Sequence, residues 1–126
     1  MTKELIQKLI DRARIAADNA YCLNTEVAVG ACVLLETNQT ITGCNVETAS
    51  LTVGAAQSAI IKALTEGLSG FVAVAFWSEK SMPFPTGNEL DFLSDFNPSI
   101  DVIVANKMTF SMHKLHELLP FRRIYD

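Results

Sequence analysis

The sequence has few cysteines, and no two of them are closely spaced. Cys22, Cys32 and Cys44 are the three in the chain. An odd number without a Cys-x-x-Cys pair argues against a disulfide framework and against a structural zinc knot, since both need paired cysteines. We therefore expect reduced thiols. At Cys22, just before the first predicted strand, we favour a small buried apolar side chain over a reactive thiol.

The chain also lacks an excess of positive charge. Lys and Arg number 10 against 14 Asp and Glu, which gives a formal net charge of −4. Proteins that bind nucleic acid or anionic membranes usually present a basic face, so we expect neither kind of partner. No apolar run reaches membrane-spanning length, and the pattern after Lys3 and Glu4 is interrupted, unlike the continuous apolar stretch of a signal peptide. These features predict a soluble cytoplasmic protein.

Apolar residues, by contrast, are plentiful enough for one core. Hydrophobic residues make up 49% of the 126 in the chain. That hydrophobic content suits one domain over residues 1–126. A chain of this length is too short for two independent domains. No internal repeat, low-complexity segment or linker interrupts the sequence.

The first part of the chain predicts a helix followed by a β-hairpin. Thr2 is a candidate N-cap for a helix over residues 2 to about 19, where apolar residues recur at helical spacing. Branched and small apolar residues predict a buried strand over 27–35. A polar turn at 36–39 then leads into a second strand over 40–46.

The rest of the chain predicts helices that alternate with strands. Thr52 is a candidate cap for a helix that runs to about Glu66 and is stopped by Gly67. Further elements are strands over 71–77, 101–105 and 108–111, a short helix over 88–96, and a last helical turn over 114–119 before Pro120. This order predicts an α/β fold in which helices cover both faces of one sheet, a three-layer sandwich.

Several short motifs follow one another in the order of a known family. They are Val29-Gly30-Ala31, Thr42-Gly43-Cys44-Asn45-Val46-Glu47-Thr48-Ala49-Ser50, Leu51-Thr52-Val53, Ala59-Ile60 with Ala63, Glu66-Gly67, Pro85-x-Gly87 and Glu117-Leu118-Leu119-Pro120. In this combination the chain resembles the small homo-oligomeric cytidine deaminases over nearly its whole length. The resemblance implies a three-layer α/β/α cytidine deaminase-like fold with a mixed five-stranded sheet, a homodimer or homotetramer, and a pyrimidine nucleoside as ligand.

The chain departs from that family where the family carries its chemistry. A zinc deaminase needs thiolate or imidazole ligands, an open position for water, and a carboxylate that moves protons. The family has Cys-Ala-Glu at one helix start and Pro-Cys-Gly-x-Cys at another. The corresponding segments here are Gly54-Ala55-Ala56 and Pro85-Thr86-Gly87-Asn88-Glu89.

These replacements remove both the ligand set and the proton shuttle. Gly54, Thr86 and Glu89 stand at the three ligand positions, and Ala56 stands at that of the catalytic glutamate. Bound zinc lowers the pKa of water from about 15.7 to about 7, and an acid–base group contributes on the order of 10² to 10⁴ in rate. One carboxylate beside a glycine and a threonine is a poor tetrahedral site. We therefore expect no catalytic residue, no zinc and no other cofactor.

Thr86 and Glu89 also have a structural explanation. Their segment fits the capping-box pattern, in which the Thr86 hydroxyl accepts a hydrogen bond from the Glu89 backbone N–H. In that pattern the Glu89 carboxylate accepts one in return from the Thr86 N–H. We favour this cap over a metal ligand, and we expect residues 54–56 to form a closely packed helix start.

One pair of ligand-recognition residues is retained. The Asn and Glu of the family's Asn-x-Glu segment bind ribose hydroxyls, and they match Asn45 and Glu47. Residues two apart on an extended segment point to the same side, where an amide and a carboxylate can bond to vicinal hydroxyls. An equally good explanation is that both residues bond to nearby backbone at a strand end. Val27 stands where the family has a pocket phenylalanine, which weakens packing on a base or sugar.

His113 and His116 are a further candidate pair. At a separation of three residues they could share one helical face and hold a metal. Because no well-placed carboxylate accompanies them, we favour a surface pair.

Three functions follow from these observations. The leading hypothesis is a non-catalytic protein of the cytidine deaminase fold, either a nucleoside-binding protein or a regulatory protein. The second is a structural subunit without a ligand, which assembles with an active relative. The third is an enzyme, either a residual deaminase of cytidine and deoxycytidine or one with new chemistry.

Overall fold

A sheet of five strands with helices on both faces forms the body of the protein. The computed structural model describes residues 1–119. Its helices are α1 (Lys3–Ala17), α2 (Ala55–Thr65), α3 (Gly87–Phe96) and α4 (Leu115–Leu118). Its strands are β1 (Tyr21–Cys22), β2 (Gly30–Leu35), β3 (Thr40–Cys44), β4 (Val46–Glu47), β5 (Thr52–Val53), β6 (Phe71–Trp77), β7 (Asp101–Ala105) and β8 (Phe110–Lys114). Within this range no helix has both the length and the apolar character that crossing a bilayer requires.

The strand order of the large sheet is β3-β2-β6-β7-β8. β6 and β7 run parallel, joined by the crossover that contains α3, and the other neighbours run antiparallel. The sheet is therefore mixed and five-stranded, as expected. A second, small sheet in the order β1-β4-β5 was not expected. Each of its strands has two residues, too few for any periodicity in the sequence to show.

The two faces of the large sheet pack against different helices. Leu9 and Ala13 of α1 pack against Cys32 and Leu34 on one face, while Val33 points to the other face, toward α2 and α3. This division follows from the alternation of side chains along a strand. The predicted three-layer arrangement is confirmed. Cys32 is fully buried, and burial raises the pKa of its thiol to about 11.

Several predicted element boundaries are wrong. The predicted strand over 40–46 ends at Cys44, and Val46–Glu47 is a separate strand of the small sheet. β2 begins at Gly30, so residues 27–29 precede it, and the last strand is Phe110–Lys114 instead of 108–111. Thr52 does not cap α2, because it pairs with Glu47 of β4, and Gly54 is the N-cap. The stop at Gly67 is confirmed by its φ of +76°, a left-handed conformation that favours glycine. Pro120 lies outside the described residues.

Gly30 allows α1 to approach the sheet closely. A Cβ atom at this position would lie 1.8 Å from the carbonyl oxygen of Ala13 and 2.6 Å from the backbone nitrogen of Ala17. We expect Gly30→Ala to lower the free energy of unfolding by about 1 to 3 kcal/mol, because overpacking forces the backbone apart. Gly87→Ala is the matched control, since a Cβ there meets nothing within 4 Å. Equal losses in the two variants, measured by denaturant unfolding, would contradict this close approach.

Candidate functional site

A pocket of about 360 Å³ lies beside the starts of α2 and α3. Its volume falls within the range of roughly 300 to 1,000 Å³ that is usual for small-molecule sites. Polar side chains in its wall include Thr25, Asn45, Glu47, Gln57, Thr86 and Glu89. The structure thus brings together the predicted recognition pair and the predicted positions at both helix starts. Phe76 and Phe84 contribute apolar surface to the same wall.

The start of α2 has no side-chain cap of its own. Gly54 is the N-cap, and the first turn contains no acidic residue. The Gln57 side chain turns back, and its Oε1 accepts a hydrogen bond of 2.8 Å from the Gly54 N–H. Ala56 follows with its side chain fully buried. The N–H of Ala56 therefore needs a partner from another part of the chain.

Glu89 of α3 supplies that partner. Its carboxylate Oε2 accepts a hydrogen bond of 2.9 Å from the Ala56 N–H. The predicted capping box at α3 is half confirmed, since the Thr86 hydroxyl accepts from the Glu89 N–H at 3.1 Å. Its other half is wrong, because the carboxylate turns to α2 instead of returning to Thr86. Burial raises the pKa of the Glu89 carboxyl, and the N–H groups of Ala56 and Gln57 act in the opposite direction.

The missing side chain at Gly54 makes room for this carboxylate. A Cβ atom on Gly54 would lie 2.4 Å from Oε2 of Glu89 and 2.9 Å from Oε1. Glu89 is only 6% exposed, and moving its carboxylate away from such a Cβ atom would break its hydrogen bond to the Ala56 N–H. The two residues fit each other because one of them has no side chain.

Asn45 joins β3 and β4 to the segment before β2. Its Oδ1 accepts a hydrogen bond of 2.9 Å from the Val29 N–H, and its Nδ2 donates one of 2.8 Å to the Val27 carbonyl. The backbone N–H of Asn45 also donates to the Val29 carbonyl. These bonds continue the pairing of an edge strand past the end of β3.

Glu47 holds the loop between β1 and β2. Its Oε1 accepts from the N–H groups of Asn24 and Thr25, and the Thr25 hydroxyl lies 2.9 Å from Oε2. Asn45 Nδ2 is 3.5 Å from the same Oε2. The hydrogen bond from the Thr25 N–H is the largest cause that lowers the pKa of Glu47. The carboxylate is thus the centre of a small network of donors.

Comparison with known proteins identifies the family. A sequence profile described as "Cytidine deaminase-like" matches residues 6–109. The chain belongs to the cytidine deaminase-like family. It is 31% identical over 124 residues to a probable cytidine deaminase of Dictyostelium discoideum, a match that covers 95% of this chain and 84% of that one. A cytidine deaminase of Sporosarcina psychrophila is 31% identical over 105 residues, with 80% and 77% of the two chains covered.

Solved structures agree in fold along almost the whole chain. The 1.6 Å crystal structure of cytidine deaminase from Burkholderia pseudomallei superposes with a TM-score of 0.88 at 27% identity, covering 98% of this chain and 100% of that one. The cytidine deaminase from Mycobacterium tuberculosis gives a TM-score of 0.79 at 28% identity, with 92% and 94% covered. The cytidine deaminase-like fold expected from the resemblance is therefore confirmed.

The residues at the helix starts do not fit the zinc ion that the family implies. Of the three ligand positions, Gly54 offers no side chain and Thr86 offers a neutral hydroxyl that already accepts the Glu89 N–H. The remaining carboxylate accepts from Ala56. Across residues 1–119 no group of three or more His, Cys, Asp or Glu side chains is placed to hold a metal. A tetrahedral zinc site needs three or four strong ligands at one point, and these three positions offer one.

Two polar residues of the pocket wall, Thr25 and Gln57, were not predicted from the sequence. Gln57 could have been found, since a glutamine three residues after an N-cap can accept a hydrogen bond from the N-cap N–H, which is the second half of a capping box. Thr25 carries no comparable local signal, because its partner Glu47 is distant in sequence.

The two histidines do not form the pair considered from the sequence. His113 lies in β8, not on a helix, and its Nε2 is 2.8 Å from the Ser111 hydroxyl. Its ring lies 5.5 Å from that of Phe84, between ring centroids. His116 belongs to α4. The two histidines therefore share no helical face, because the strand continues through Lys114 and the helix begins after it.

Glu47 should make the fold sensitive to acid. Because its folded-state pKa is lowered, its contribution to stability is present at neutral pH and is lost as the pH falls through about 5 and below. Glu47→Gln should lower the free energy of unfolding at neutral pH by about 1 to 3 kcal/mol, and the difference from the unmodified protein should shrink in acid.

Urea unfolding at several pH values measures this difference. Glu79→Gln is the matched control, since the Glu79 side chain is exposed and has no described hydrogen bond. A Glu47→Gln deficit that stays constant from neutral to acid pH would contradict the assigned role of the carboxylate.

Proposed function

We propose that this chain is a non-catalytic member of the cytidine deaminase-like family that binds an unphosphorylated pyrimidine nucleoside. One observation carries the proposal: the pocket persists, while the positions that would hold the family's metal and proton shuttle carry Gly54, Ala56, Thr86 and an internally bonded Glu89. Hydrolysis of an amine needs an activated water and a group that moves protons. A pocket without either can bind but has no means of turnover.

The wall of the pocket supports a nucleoside as the ligand. Relatives of this chain are named cytidine deaminases. Asn45 and Glu47 retain the amide and carboxylate that the family uses for ribose hydroxyls, and both line the pocket. Phe76 and Phe84 offer apolar surface to a base.

The charge of the wall supports an unphosphorylated ligand. Among its described residues, Glu47 and Glu89 are ionisable, and no Lys, Arg or His is included. A phosphate brought beside two carboxylates is repelled, and nothing in this described wall compensates its charge. We extend the proposal to a cytoplasmic homodimer or homotetramer, the assemblies that the resemblance implies.

A structural subunit is the second candidate function. The observation that favours it is the hydrogen bonding of Asn45 and Glu47, which are directed at Val27, Val29 and the loop at Thr25. Both side chains would be needed for the fold even if no ligand ever entered. Native mass spectrometry of the chain purified from its source distinguishes a homo-oligomer from a mixed assembly with an active relative.

Isothermal titration tests binding directly. We expect heat on addition of cytidine or uridine, and an affinity for cytidine 5′-monophosphate that is weaker by about tenfold or more. The absence of heat with every nucleoside at about 1 mM would remove the binding function and leave the structural one.

Substitution at Val27 sharpens the same measurement. Val27 is 41% exposed in the wall of the pocket, where the family has an aromatic residue. Val27→Phe should tighten nucleoside binding by roughly twofold to tenfold, the value of one aromatic contact of about 0.5 to 1.5 kcal/mol. Ile15→Phe is the matched control, because Ile15 is 59% exposed on α1 and is not part of the pocket wall.

Deamination should be absent. Cytidine and deoxycytidine incubated with the protein, with and without added zinc, should yield no more uridine or deoxyuridine than a protein-free sample, as followed by chromatography. An active cytidine deaminase serves as the positive control. Turnover together with stoichiometric zinc in the purified protein would establish a residual enzyme and overturn the non-catalytic proposal.

A further inference from the structure

We propose that Glu89 and Gly54 form an internal clasp that takes the place of the family's metal in joining the starts of α2 and α3. The clasp is defined as the hydrogen bond from the Ala56 N–H to the Glu89 carboxylate, together with the space that Gly54 leaves for that carboxylate. It holds the pocket wall together without any metal ion.

The hydrogen bond joins the same two helix starts at which the family's metal ligands stand. By the resemblance, one family ligand stands at residue 54, at the start of α2, and two stand at residues 86 and 89, at the start of α3. A metal bound there ties the two helix starts together. In this chain a hydrogen bond of 2.9 Å between the same two helix starts makes that connection.

The Glu89 carboxylate is also electrostatically favourable at the start of α2. The N–H groups in the first turn of α2 have no backbone partners within the helix and carry a partial positive charge, and this turn contains no acidic residue. Glu89 brings a carboxylate to it from 33 residues further along the chain. The carboxylate therefore satisfies a backbone donor and complements the helix dipole at once.

Gly54 leaves the space that the Glu89 carboxylate occupies. A Cβ atom on Gly54 would lie 2.4 Å from Oε2 and 2.6 Å from Cδ of Glu89, well inside contact distance. Gly54 itself has φ −73° and ψ 162°, a conformation that any residue adopts. The glycine is thus required by the neighbouring carboxylate, and not by its own backbone.

A double-mutant cycle tests this pairing. We expect Gly54→Ala to raise the unfolding equilibrium constant by roughly tenfold or more in the unmodified protein, and by less than about threefold in a Glu89→Ala background. In a Glu89→Gln background the side chain keeps its size, so the cost of Gly54→Ala should return. If Glu89→Ala does not fold, Glu89→Asp shortens the side chain by one methylene and serves as the background.

Two controls complete the cycle. Gly87→Ala adds a Cβ at the start of α3 where nothing lies within 4 Å, and it should change the unfolding constant by less than about twofold. Thermal unfolding with EDTA and with added Zn²⁺ should give the same midpoint. Equal costs of Gly54→Ala in all backgrounds would overturn the clasp, as would a zinc-dependent rise in midpoint that disappears in Glu89→Ala. Because no nucleoside is needed, this outcome is independent of the binding proposal.

Discussion

The first turn of a helix has backbone N–H groups with no partner inside the helix, and a buried helix start must find acceptors for them elsewhere. At α2 this requirement meets a glycine N-cap and two alanines, none of which carries an acceptor. Gln57 supplies one from within the helix and Glu89 supplies another from α3. One carboxylate therefore joins the starts of the two helices, whose apolar faces share a core, and the same carboxylate lines the pocket beside them.

Asn45 and Glu47, the proposed recognition pair, meet the same constraint at a strand end. Asn45 and Glu47 satisfy backbone groups that would otherwise lack partners where β3 ends and the loop before β2 passes by. A ligand hydroxyl that bonds to either side chain must share these oxygens and nitrogens with the backbone. The proposed recognition uses side chains that are already held in place before a ligand arrives, and its net gain per hydrogen bond is small because those side chains are already bonded.

Local patterns in the sequence predict those features of the structure that depend on residues close together in the chain. The five large strands, the layers and the cap at Thr86 follow from periodicity and from residues a few positions apart. The direction of the Glu89 carboxylate does not, because its partner Ala56 is 33 residues away and the capping-box pattern describes only one helix. The two-residue strands that hold Thr52 away from α2 are likewise set by tertiary pairing with Glu47.

Once such a clasp exists, two of the substitutions that a metal site would require are each unfavourable when made alone. A cysteine at residue 54 alone would place its Cβ against the Glu89 carboxylate. A cysteine at residue 89 alone would leave the Ala56 N–H without its acceptor, at a cost of about 1 to 3 kcal/mol. Either change alone removes a sizeable share of the 5 to 15 kcal/mol that typically stabilises a domain, and neither supplies a working ligand set. The arrangement of Gly54 and Glu89 thus separates this chain from a zinc-binding relative more firmly than a count of missing cysteines suggests.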